Sequence, residues 1–326
     1  MKKSVLGYAF VALAAVFWGF LSISSIPLGE AGLKPMQITF IRSFFSAAFI
    51  AVLVLIKSPR GFKVKLKDLP VFLGSGVLGF FLLNVFYISS IEKNGSAVAA
   101  TLMYTSPVFV TIFARVFFKE KVSLIKVLLL VTTVGGCAMV TLGGAISISA
   151  VGVLLGLGSG VAFALYGVFS KIAVSRGYSS ETSAFYTMAF SALASVFFAQ
   201  PLSVFSAIGS NGTVALHSLL CALLFTAVPY VLYPAGLNFI SAVTAGIISI
   251  IEPVVAALVG VFAFHNDLGA LGICGMVVVI ASLVLMTIFD SHKLSEHAGD
   301  CDAENLKSPA ESETANETAD KSVTGQ

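Results

Sequence analysis

Charge is what this chain has least of. Only 11% of its 326 residues are Asp, Glu, Lys or Arg, against 57% hydrophobic, whereas a soluble globular protein is near one quarter charged. The charge it does have divides unevenly. Residues 1–289 hold 16 Lys/Arg and 7 Asp/Glu, and residues 290–326 hold 3 and 9. A body so poor in charge cannot cover a water-facing surface, which excludes a soluble enzyme and leaves no basis for a nucleic-acid partner. Cysteine is scarce as well. Cys137, Cys221 and Cys274 lie in apolar runs and Cys301 lies in the tail, without the spacing of a zinc module or a disulfide framework. His217, His265, His292 and His297 form no metal pattern, no phosphate-binding glycine loop is present, and no nucleophile–base constellation is evident. No catalytic residue, cofactor or metal is expected.

What the chain has in abundance is long apolar runs. A membrane span needs about 20 mostly apolar residues, and reading between charges and turn signals gives ten: 5–26, 36–56, 69–91, 97–117, 122–142, 150–172, 182–200, 214–236, 243–264 and 268–289. The runs are continuous rather than alternating, which selects helices over barrel strands. The expected fold is therefore an all-α integral membrane protein of ten transmembrane helices. The first run follows Lys2 and Lys3 but is longer than a signal-peptide core, and Pro27 leads into another span, so it reads as a retained helix. With the N-terminus cytoplasmic, Lys57, Arg60, Lys63, Lys65, Lys67, Arg115, Lys119, Lys121, Lys126, Lys171 and Arg176 all fall inside, and only Lys34 and Lys93 fall outside. Positive-inside asymmetry thus places both termini in the cytoplasm of a multi-pass inner (plasma) membrane protein. Residues 290–326 carry few large apolar groups and read as a disordered acidic tail. Asn94-Gly-Ser96 and Asn211-Gly-Thr213 match a glycosylation pattern, but Asn-Gly is equally a turn signal, and nothing is drawn from them.

The strongest signal is an internal repeat. Ser96-Ala-Val-Ala-Ala100 recurs as Ser241-Ala-Val-Thr-Ala245, a shift of 145. Asn84-Val-Phe-Tyr87 recurs as Tyr230-Val-Leu-Tyr233 and Ser106-Pro107-Val108 as Glu252-Pro253-Val254, each a shift of 146. Gly32 and Gly177 share the 145 shift. The chain divides into 1–145 and 146–289, five spans each, with the tail 290–326 apart. Five is odd, so the second half inserts the other way up. Two inverted five-helix repeats suit a carrier that opens alternately to either side. The competing reading is an intramembrane enzyme or lipid-modifying protein, which would carry a catalytic constellation beside a lateral opening to lipid.

The duplicated stretches 96–109 and 241–255, with Phe17-Trp-Gly19, Phe40-Ile-Arg42 and Phe118-Lys-Glu120, resemble the drug/metabolite transporter superfamily, EamA type. The resemblance covers about 1–289. It implies an export-type secondary carrier, not an enzyme, for small metabolites, often amino acids or related compounds. The family's acidic residue after the fourth span of each module matches Glu120 in the first half. The second half has Asn266 there, followed by Asp267, so an outer clamp built on that acid is weakened or displaced.

Glu252 lies near the middle of the ninth span, where a charge costs about 2.5–3.5 kcal/mol on insertion scales and normally faces a partner or a wet cavity. It directly precedes Pro253, which leaves a helix carbonyl without its N–H, and Pro107 repeats that interruption in the fourth span. Paired interruptions point to a transporter's binding site. Glu252 either binds a substrate ammonium or an exchanged proton, or is a protonated group bonded to a neighbouring helix. Arg42, about one and a half turns into the second span, pairs with a substrate carboxylate or plays a snorkelling, structural role; the structural reading is favoured. Trp18, Asn84, Tyr87, Tyr104, Tyr166, Tyr230, Tyr233 and Asn238 carry polar ends that need partners in lipid. They line a cavity or belong to the interfacial belt, with Asn84, Tyr87 and Tyr230 the leading cavity candidates. Gly152, Gly156 and Gly160 form a small-residue spine in the sixth span, as Gly269, Gly272 and Gly275 do in the tenth. The first suits packing within the chain, and the second suits that or a homodimer contact. The expected partners are a small-molecule substrate and the lipid bilayer.

Overall fold

A computed structural model describes residues 2–57, 59–119, 123–141, 149–265, 269–282, 284, 285 and 289. Glu120, Asn266, Asp267 and the acidic tail lie outside the described residues. The chain divides into two units. One is Lys2–Leu283, which holds every element below; the other is Met1 with Val284–Gln326, of which residues 284, 285 and 289 are described and helical. No strand occurs among the described residues.

Eight helices are long and apolar enough to cross a membrane: α1 Ser4–Glu30, α2 Pro35–Lys57, α3 Leu66–Ser96, α4 Val98–Phe118, α6 Ala150–Ser175, α7 Ser180–Ala199, α9 Gly212–Leu237 and α10 Ala242–Phe264. Where the fifth and tenth spans are expected lie α5, Leu124–Thr141, and α11, Ala270–Ser282, neither of which is among these eight. An unexpected helix, α8 Pro201–Ser210, fills what reads in sequence as a loop. It begins where Gln200 turns left-handed (φ 50°) and Pro201 takes the first helical position, where its missing N–H costs nothing.

The principal packings are α3 on α6, α2 on α7, α1 on α9 and α10, and α4 on α6. The glycine spine of α6 serves the first and the last of these: a Cβ on Gly152 would meet Asn94 of α3, and Gly156 and Gly160 face α4. A Cβ on Gly156 would lie 2.7 Å from Leu102 Cβ, and one on Gly160 would lie 3.2 Å from the carbonyls of Leu102 and Met103. In α11 a small face also packs within the chain, since a Cβ on Gly136 of α5 would lie 3.0 Å from the Gly275 carbonyl.

Departures from regular helix recur at the sequence-repeat spacing. Gly32 (φ 88°) and Gly177 (φ 85°) each end a helix, with Leu33 N–H reaching the Leu28 carbonyl and Tyr178 N–H the Ala173 carbonyl, a closure that needs positive φ. Lys119 and His265, both at φ 54°, close α4 and α10. α4 breaks at Tyr104–Thr105 and α10 at Ser249–Ile250, and the helices restart at Ser106 and Ile251, with Pro107 and Pro253 in their first turns. The carbonyl that Pro253 leaves without its usual donor, that of Ser249, accepts instead from Glu252 N–H at 3.0 Å. Finally, α3 is wound as a π-helix over Gly74–Phe81 and α9 over Leu223–Ala227.

At the end of the bundle bearing the 57–68 connection, polar side chains tie loops together. Lys57 pairs with Glu181 and Arg176 with Asp68. The Tyr178 hydroxyl donates to Asp68 at 2.6 Å and accepts from Lys65 N–H at 3.1 Å. Burial first, and the bond to Asp68 next, raise the Tyr178 hydroxyl above its ordinary pKa. Lys171 donates to the Leu237 and Ile240 carbonyls, which cap the end of α9. At the opposite end, Asn94 bridges to Ser149, accepting from its N–H at 2.7 Å and donating to its carbonyl. Asn211 caps α9 by accepting from Thr213 and Val214 N–H groups. Both Asn-Gly sequences therefore have local structural work.

Candidate functional site

A cavity of about 250 Å³ lies among α1, α2, α3, α4, α6, α9 and α10. Its lining gathers most of the residues singled out in sequence: Trp18, Arg42, Asn84, Tyr87, Tyr104, Tyr230 and Glu252. Its volume falls below the usual range for drug-sized ligands, about 300–1,000 Å³, and suits a smaller solute.

The local irregularities explain how these groups come together. Trp18 sits where α1 is interrupted at Phe20–Leu21, which also turns Ser22 and Ser25 toward the cavity. Tyr104 lies at the α4 break, and Glu252 lies just past the α10 break. The two breaks meet: Tyr104 packs against Ile250 and Val254, and a further space of about 10 Å³ is lined by Met103, Ser106, Phe163, Ser249 and Glu252. Pro107 and Pro253 thus set where the helices restart and are not among the residues lining these two spaces.

One wall is aromatic. Trp18 packs edge-on to Tyr230 and Phe163, with centroids at 5.3 and 5.7 Å, and Tyr166 contacts Tyr230 at 4.8 Å. Tyr233 lies behind this wall, 5.6 Å from both Trp18 and Tyr166. It is fully buried and supports the lining without joining it. Asn238 lies at the end of α9, where its amide donates to the Pro234 carbonyl, outside the cavity.

The polar groups are few and specific. Arg42 donates through Nε to Thr226 Oγ1 at 3.1 Å and through Nη1 to Asn84 Oδ1 at 3.2 Å, and its guanidinium stands 5.1 Å over the Phe80 ring. It therefore points inward and does not snorkel. Asn84 Nδ2 donates to the Phe80 carbonyl at 2.7 Å. Glu252 faces the same cavity as Arg42, and none of the hydrogen bonds or ion pairs formed by Arg42 among the described residues reaches it. The Trp18 Nε1 and Ser22 Oγ atoms are buried without a hydrogen-bond partner among the described residues, as are the hydroxyls of Tyr166 and Tyr233. Among the described residues no cluster of three His, Cys, Asp or Glu side chains is placed to hold a metal.

Sequence reasoning missed Phe163, Ser22 and Thr226. Phe163 and Ser22 carry no signal apart from neighbours, but Thr226 is the 146-shift partner of Phe80, and the repeat alone would have drawn attention to it.

The comparisons with known proteins agree in class. The EamA-like transporter family matches residues 5–142 and again 150–288. An uncharacterized transporter of Archaeoglobus fulgidus is 29% identical over 280 residues, covering 86% of this chain and 95% of that protein. YicL, an uncharacterized inner membrane transporter of Salmonella typhimurium, is 24% identical over 295 residues, covering 88% and 97%. One crystal structure shares the fold with a TM-score of 0.70 at 17% identity, covering 88% of this chain and 97% of its own. With the family matched twice over nearly all of residues 5–288, the chain belongs to the EamA-like transporter family and is a membrane transporter.

Proposed function

We propose that the chain is a secondary carrier that exports small, bipolar organic solutes, of the kind amino acids and related compounds represent, by alternating access. The observation that carries this reading is the cavity. A guanidinium and a carboxylate share it with Ser22, Ser25 and an aromatic wall. In this reading Arg42 takes the solute's anionic group, and Glu252 takes its ammonium or exchanges a proton for it. Tyr87, Tyr104, Tyr230 and Trp18 enclose its apolar part. A lining of this kind differs from a channel's ring of carbonyls or charges.

Alternating access rests on an inverted pair of halves, 1–145 and 146–289, with both termini cytoplasmic in the inner membrane and residues 290–326 as a separate acidic tail. Supporting the inversion, the packings fall into equivalent pairs: α1 on α9 matches α6 on α3, α1 on α10 matches α6 on α4, and α2 on α7 matches itself. Such pairing is what two halves related by a pseudo-two-fold axis produce, and five spans in each half would put that axis in the membrane plane. A homodimer through α11 is the weaker part of the reading, because Gly275 already packs on Gly136.

The test is a thermal-shift screen of purified protein against amino acids, nucleosides and cationic drugs, followed by counterflow of each stabilising solute in proteoliposomes. The reading expects saturable counterflow of at least one bipolar solute, lost in Arg42→Gln. Solutes that stabilise the protein but never exchange would contradict it. Wild-type rate and pH dependence in Glu252→Gln would remove the proton-exchange role.

A further inference from the structure

Arg42 is held by two side chains that the sequence repeat makes equivalent in position. Phe80, at the end of the first π-helical segment, shifts by 146 onto Thr226, within the second. The guanidinium lies over the Phe80 ring and donates Nε to the Thr226 hydroxyl. Each contact is anchored on backbone at a π segment. The Thr226 hydroxyl donates to the Cys221 carbonyl, five residues back, at 2.8 Å. That fixes its lone pairs toward Arg42. Asn84 donates to the Phe80 carbonyl, which fixes its Oδ1 as the acceptor for Nη1.

From this arrangement we infer that Thr226 and Asn84 are positioning residues, which hold Arg42 between the two π segments so that its remaining N–H donors face the cavity as a preformed site for an oxyanion. A guanidinium has five N–H donors, and two of Arg42's are taken by Thr226 and Asn84. The edge left over serves a carboxylate in the forked geometry that arginine favours. Fixing the side chain in advance removes the ordering cost of its long, flexible stem when the solute binds. The inference rests on the cavity being a solute site only where an oxyanion is bound; the state of Arg42 in the empty protein stands apart from it.

The chain has four arginines, Arg42, Arg60, Arg115 and Arg176, so the Nε–H signals of ¹⁵N-arginine protein are resolvable by NMR and Arg42 is assigned through Arg42→Lys. In the wild type, the Arg42 Nε–H is expected to exchange slowly with water and to shift saturably on titration with sodium acetate but not sodium chloride. Thr226→Val keeps the volume and removes the acceptor. It should speed that exchange at least about tenfold and weaken acetate about five- to tenfold, the scale of one ordinary intramolecular hydrogen bond. Thr226→Ser, which retains the hydroxyl, should restore both. If Thr226→Val does not fold, Thr226→Ala and Asn84→Ala read the same two signals. Wild-type exchange in the valine or alanine variants, or a serine variant that behaves like valine, overturns the positioning role. Acetate that leaves the Arg42 signal unmoved overturns the oxyanion site. Absence of counterflow for every solute would defeat the transport reading and leave the exchange result standing.

Discussion

Gly79→Ala adds one methyl group where the structure has no room for it. Gly79 lies in the π-helical part of α3, and an added Cβ would stand 2.9 Å from both Cα and Cβ of Tyr166 and 3.2 Å from its backbone nitrogen. Ordinary contact begins near 3.4 Å, and because the obstructing atoms include backbone, no rotamer change relieves the overlap. Overpacking of this kind costs about 1–3 kcal/mol. The better helix propensity of alanine returns about 1 kcal/mol, leaving a net loss of roughly 0–2 kcal/mol. At about 2 °C per kcal/mol for a chain longer than 250 residues, melting in detergent should fall by up to about 4 °C. The displaced atom belongs to Tyr166, which props Tyr230 against the cavity, so solute affinity should fall with stability. Gly135→Ala is the matched control, since nothing lies within 4 Å of its Cβ position; it should melt at or above the wild type. If the two variants melt alike, the α3–α6 contact is not as close as described.

Asp68→Ala removes the acceptor shared by Arg176 and Tyr178 from a site where Asp68 is 5% exposed. A fully buried pair broken this way costs about 3–5 kcal/mol, but the Arg176 side chain is 45% exposed, so about 1–3 kcal/mol is expected in a denaturation assay, and a double-mutant cycle with Tyr178→Phe should show coupling. Trp18→Phe deletes an N–H that is buried without a partner among the described residues; stability should change by no more than about 1 kcal/mol while solute affinity falls about tenfold in a binding titration. An equal loss of both would mean that Trp18 acts through packing alone. Lys171→Met leaves the Leu237 and Ile240 carbonyls without their ammonium cap. Amide exchange at the end of α9 should accelerate, and unchanged protection there would discount the cap.

The helical, membrane-spanning character is readable because its signals are strong. Long apolar runs mark all eight helices that are long enough to cross a membrane, and in so apolar a body Arg42 and Glu252 stand out as charges requiring a reason. The paired prolines likewise point to the breaks at Tyr104–Thr105 and Ser249–Ile250, since a proline is tolerated in the first turn of a restarted helix. What sequence does not disclose is set by packing. The π segments arise in stretches whose local pattern is ordinary helix. The inward course of Arg42 depends on Thr226, 184 residues away; a lone arginine near a helix end is as compatible with snorkelling. Tyr233 is the repeat partner of the lining residue Tyr87, yet lies fully buried behind the aromatic wall, against Trp18 and Tyr166. Helix α8 depends on the left-handed turn at Gln200, for which glutamine gives no cue.

The central claim is that solute passes through the cavity of Arg42 and Glu252. Its most direct test places a single cysteine at Ser22 in protein whose four native cysteines are replaced by alanine, reconstituted in proteoliposomes and treated with a methanethiosulfonate reagent. The account predicts that modification at Ser22→Cys stops counterflow and that excess solute slows the modification, while Leu154→Cys, on the outer surface of α6 at 70% exposure, is modified without effect. Counterflow that survives complete modification at Ser22→Cys would contradict it.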